Sequence, residues 1–126
     1  MLNGEPQIGC TLHYVTDGTI DTGAILGTHR MPVNRERSLL WNIASLYSAG
    51  TAMIAKALAA FTKGKAIETI AQSGGRYFSY PETHDVATFL ARGHRLYSNG
   101  DYAAILQWYG VNASSAQALV SKAFPT

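Results

Sequence analysis

Residues 9–26 read GCTLHYVTDGTIDTGAIL, which is a strand-like segment, a turn-rich stretch and a second strand-like segment. Alternation places Cys10, Leu12 and Tyr14 on one face of the first segment and Thr11, His13 and Val15 on the other, so a strand is expected over residues 8–15. Asp17-Gly18 is a strong reversal signal. The second strand is expected over residues 23–33, stopped by Pro32 and Asn34. The pattern commits this part of the chain to an antiparallel ribbon with a long loop, and such a ribbon needs another layer over one face.

The next segment offers that layer. Leu39, Leu40, Ile43, Leu46, Tyr47, Gly50, Met53, Ile54, Ala57, Leu58 and Phe61 recur at three- and four-residue spacing, which predicts one long helix over residues 35–62. Asn34 is the expected N-cap, with Glu36 favourable in the first turn. Gly64 is the expected stop. The opposite face (Asn42, Ser45, Ala49, Ala52, Lys56, Ala60) is small rather than charged, as in a helix covered on both sides. Residues 66–72 and 76–80 read as short strands around Ser73-Gly74-Gly75. The remainder reads as three helices, with Thr83, then Asn99 or Asp101, then Asn112 as caps.

The expected fold is α/β, or α+β as a fragment: a small, mainly antiparallel sheet packed on one long helix, with a helical C-terminal part. Composition shifts toward aromatics near Gly74-Gly75, giving two expected regions, residues 1–75 and 76–126. Charged residues make up 14% of the chain and the net charge is +2, with Lys and Arg scattered, so no nucleic-acid footprint is indicated. The single Cys10 excludes an intrachain disulfide and reads as a small buried hydrophobe. The start has no signal-peptide pattern, and no apolar run is expected to reach the roughly 18 residues of a membrane span. A cytoplasmic location without membrane contact is expected, and Asn112-Ala113-Ser114 then matters as a helix cap rather than a glycosylation site.

The chemistry concentrates in the loop. Asp17 and Asp21, with His13 nearby, can orient a water, hold a histidine protonated or accept protons from an amine nucleophile. Gly18 and Gly23 can let backbone approach a flat ligand. Ordinary turn composition gives the same residues. A metal site is not expected, because no further His/Cys cluster completes a ligand spacing.

The order of these residues is more specific than their types. Gly9-Cys10-Thr11-Leu12-His13-Tyr14-Val15, then Asp17-Gly18, then Ile20-Asp21-Thr22-Gly23-Ala24-Ile25-Leu26, with Asn3-Gly4-Glu5 before them, resemble the folate-dependent formyltransferases. These include glycinamide ribonucleotide transformylase, methionyl-tRNA formyltransferase and sugar N-formyltransferases. The resemblance runs to about Gly64, roughly half of the chain.

It implies the C-terminal half of a formyltransferase-like fold and transfer of a formyl group from 10-formyltetrahydrofolate to an amine acceptor. Asp21 matches the catalytic Asp of an Asn-His-Asp trio, His13 a histidine packed beside the site, and Val15, Thr16, Asp17 and Gly18 the loop that cradles the pterin. The family's Asn-x-His-Pro-Ser-like segment has no counterpart, since no His-Pro pair exists in the sequence. The chain is therefore expected to hold a partial active site, completed by a missing N-terminal half. Alternatively it is a non-catalytic fragment or remnant that binds a ligand or self-associates, with a homodimer as the expected assembly.

Overall fold

The computed structural model describes residues 1–16, 18, 22–73 and 79–124. Among these lie two strands, β1 (Gln7–His13) and β2 (Ile25–Pro32), and five helices: α1 (Leu39–Ala44), α2 (Tyr47–Phe61), α3 (Thr83–Ala91), α4 (Asn99–Trp108) and α5 (Ala113–Ala123). The architecture is mixed α+β with one small antiparallel sheet, as the sequence pattern predicts. The boundary expected between residues 75 and 76 lies outside the described residues. The chain forms two compact units. One comprises Gln7–Pro32 and Leu46–Tyr80; the other comprises Met1–Pro6, Val33–Ser45 and Pro81–Thr126.

The ribbon unit pairs β1 with β2 from Gln7↔Pro32 to His13↔Ile25. Ile8, Cys10 and Leu12 are half-buried while Gly9 and Thr11 are exposed, which is the period-two pattern of a one-sided sheet. The buried face packs on α2. Gly50 and Cys10 meet closely, since a Cβ at Gly50 would stand 3.8 Å from the Cys10 sulfur. The Cys10 thiol donates to the Leu46 carbonyl at 3.8 Å. Tyr14 lies against Phe61, with ring centroids 6.0 Å apart.

The apolar stripe of α2 is only partly used. Gly50, Met53, Ala57 and Ala60 are half-buried or buried, whereas Tyr47, Ile54, Leu58 and Phe61 are exposed. Lys56 and Ala60, expected on the opposite face, line the same cleft as Met53 and Ala57. The reason is size: the small residues let the ribbon approach, so the contact centres on them and not on the bulky stripe. Residues 66–72 form no strand but one bridge, in which Ile25 and Ile70 exchange N–H···O bonds of 2.8 and 2.9 Å.

The single helix expected over residues 35–62 is instead two, α1 and α2, broken at Ser45 and Leu46, and the helical unit explains why the first begins later than Asn34. The Asn34 side chain accepts from the Glu36 N–H, a local turn rather than a helix cap. Ser38 is the cap: its hydroxyl accepts from the Trp41 N–H at 3.3 Å. The Leu39 and Leu40 N–H groups donate to the Arg95 and Leu96 carbonyls at 2.8 and 3.0 Å. The first-turn donors that a helix leaves orphaned thus have partners. Fully buried Asn42 accepts from the Asn34 N–H and donates to the Asn34 and Ser38 carbonyls, each at 2.9 Å.

Asp101, 3% exposed in the first turn of α4, ties this arrangement together. It accepts from the Ser38 N–H at 2.8 Å and from the Arg37 guanidinium at 2.9 Å. Burial alone would raise its pKa. Hydrogen bonds from Arg37, Ser38 and Ser98 outweigh burial and lower it from 3.8 to about 2. Arg37 also lies 5.5 Å over the Trp41 ring, and Trp41 meets Trp108 edge-on at 5.5 Å.

The caps of α3 and α4 sit one position or more before the expected ones. Glu82 and Asp85 form a reciprocal capping box for α3, and Ser98 accepts from the Asp101 N–H to cap α4. Asn112 caps α5 as expected, accepting from the Ser115 N–H at 2.9 Å. Ala103, Ala116 and Val120 form the buried centre between α4 and α5.

One difference concerns apolar length. The helical stretch Leu39–Phe61 has a mean hydropathy of 1.3 over its most apolar 18 residues and satisfies, by length and composition alone, the test for a membrane-crossing helix. Serine, threonine, asparagine and glycine interrupt the run without adding charge. Lys56 is its one charged residue.

Candidate functional site

The loop between β1 and β2 is held at its base by three segments. The ladder shifts register between Leu12 and His13: Leu12 faces Gly27, but His13 faces Ile25. Such a bulge sharpens the local twist and re-aims the side chain beside it. One step further, the Tyr14 N–H donates to the Ala24 carbonyl at 3.0 Å. Gln72 reaches in from residues that follow α2, its Nε2 donating to the Gly23 carbonyl at 2.9 Å.

Gly23 is buried where the two sides of the loop converge. A Cβ built there would lie 1.6 Å from the Tyr14 carbonyl oxygen, far inside any allowed contact. Gly23 thus serves close approach of the chain to itself. Among the described residues nothing lies within 4 Å of a Cβ at Gly18.

His13 closes the strand at this end. Its Nδ1 lies 3.0 Å from the Tyr14 carbonyl oxygen, and because a carbonyl only accepts, the ring nitrogen donates in this contact. Val15 (82% exposed) and Thr16 follow in solvent, and Gly18 is exposed. His13, Val15 and Thr16 thus lie within four residues at one end of the ribbon. Asp17 and Asp21 lie outside the described residues, as do Thr19 and Ile20. Among the described residues no group of three or more His, Cys, Asp and Glu side chains is placed to hold a metal ion.

Three supports of this site carry no sequence signal of their own. The bulge depends on pairing register, Gln72 on the return of the chain after α2, and the Gly23–Tyr14 approach on both strands at once. Only the need for a glycine hints at the last.

No family model, curated protein or solved structure matches the chain.

Proposed function

We propose that the loop is the folate-side part of a formyltransferase active site, acting in formyl transfer from 10-formyltetrahydrofolate to an amine. The structural observation that supports this reading is the pinned loop base: a bulge, a backbone bond, an inserted Gln72 amide and an obligatory Gly23 fix the ends of a loop far longer than a two-residue reversal. Fixed ends cut the ordering cost of ligand binding. In this reading Val15, Thr16, Asp17 and Gly18 cradle the pterin. Asp21 holds a histidine from outside this sequence in its charged form and passes protons through a water, and His13 orients the strand end. Groups that act as one catalytic unit lose most of their rate when any is absent, so binding rather than turnover is the appropriate measurement. Calorimetric titration with 5-formyltetrahydrofolate is expected to give a saturable heat that Asp17→Ala and Asp21→Ala each reduce. No heat at millimolar ligand would sink the reading.

A second reading, self-association without catalysis, is favoured by one observation. Tyr47, Ile54, Leu58 and Phe61 stand 57%, 48%, 57% and 42% exposed on one helix. Exposed apolar area of this kind marks interaction surfaces. Sedimentation should then show a dimer that Leu58→Glu dissociates; a monomer at high concentration excludes it.

A further inference from the structure

We propose that the cleft between the ribbon and α2 binds a small amphiphilic monocarboxylate, with Lys56 holding the carboxylate. The cleft has a volume of about 260 Å³. For scale, an apolar cavity of about 150 Å³ takes up benzene. It exists because the facing positions are small. Met53, Lys56, Ala57 and Ala60 share one face of α2 at three- and four-residue spacing, and two of the four are alanine. Opposite them stands Gly27, where a Cβ would come within 3.3 Å of the Met53 sulfur. Leu12, Leu26 and Ile67 complete apolar walls.

Lys56 is the charged side chain of this lining, and among the described residues no acidic residue joins it; Thr28 lines the cleft too, but it pairs with exposed Thr11 and so turns its hydroxyl to the opposite face of the ribbon. Among the described residues the Lys56 side chain has no hydrogen bond or ion pair within the protein. Lys56 is also the one charge in the 23 residues of Leu39–Phe61, so nothing on that helix neutralises it. An apolar hollow with an ammonium at its border, and no counter-charge among the described residues, complements a ligand with a short apolar body and one carboxylate. Such a ligand gains a charge-assisted hydrogen bond at one end and apolar burial at the other. The proposal uses none of the loop's candidate residues, so it stands or falls apart from the formyl-transfer reading.

Sodium hexanoate, hexanamide and sodium acetate test it, each titrated into the isotopically labelled chain while backbone amide shifts are followed. Hexanoate should shift Gly27, Ala57 and Ala60 saturably. Hexanamide should bind about tenfold more weakly, having lost the charge, and acetate should not saturate, having lost the apolar body. Lys56→Gln keeps a good helix former at an exposed position and should cost hexanoate about the same tenfold while leaving hexanamide unchanged. Equal binding of hexanoate and hexanamide by the unaltered protein, or no saturable shift in those three amides, overturns the proposal without any variant.

Discussion

A buried aspartate such as Asp101 stabilises a fold only while ionised if its folded pKa lies below the unfolded value. That is the situation here, 3.8 lowered to about 2, a difference worth ~2 kcal/mol. The contribution is complete above the unfolded value and is lost as pH falls through the folded one. Asp101→Ala is therefore expected to cost about 2–3 kcal/mol near neutrality, because it strands the buried Ser38 N–H. In urea titrations the gap between variant and parent should narrow as pH is lowered from about 5 to about 2. A gap that stays constant over that interval would contradict the assignment. Gly23→Ala acts by sterics instead. The added carbon cannot coexist with the Tyr14 carbonyl, so the loop base must open, at a cost of about 1–3 kcal/mol in thermal or urea unfolding. The sequence announces Gly23 as a turn residue and Asp101 as a cap candidate. It cannot announce what each one meets, since Tyr14 is nine positions from Gly23 and Ser38 lies 63 positions from Asp101.

Among elements, the ribbon was legible because alternation and a reversal signal are local, and the helices because their period is local. Their ends were less so. Asn34 has the chemistry of an N-cap, yet it spends its side chain on Glu36 and its backbone on Asn42, and the helix waits for Ser38. Ser38→Ala should cost about 1 kcal/mol in chemical denaturation, the usual worth of a capping hydroxyl. Asn34→Ala, which removes only a local turn bond, should cost less; the reverse order would return the cap to Asn34. Only part of the apolar stripe of α2 meets the ribbon, for a related reason. Hydrophobic periodicity marks the whole apolar stripe of a helix, but close packing against a ribbon selects its small members and their small neighbour Ala60. The contact therefore runs through Gly50, Ala57 and Ala60, and Ile54 and Leu58 remain in solvent.

For the whole molecule, the two units separate two jobs. The Asp101–Ser38–Arg37 cluster lies in the helical unit, whereas the pinned loop and the Lys56 cleft lie in the ribbon unit. Substitutions at sites that share no partner residue usually behave additively. Stability lost at Asp101 should then leave ligand affinity intact as long as the protein is folded. Asp101→Ala is expected to lower the unfolding midpoint yet bind 5-formyltetrahydrofolate and hexanoate with the parent's affinities at a temperature where circular dichroism reports native structure. Gly23→Ala should instead weaken the folate analogue beyond its effect on stability, because it releases the loop's fixed ends. A fall in affinity for Asp101→Ala under native conditions would mean that the loop depends on the helical unit. The separation of jobs would then be wrong even if both sites are right.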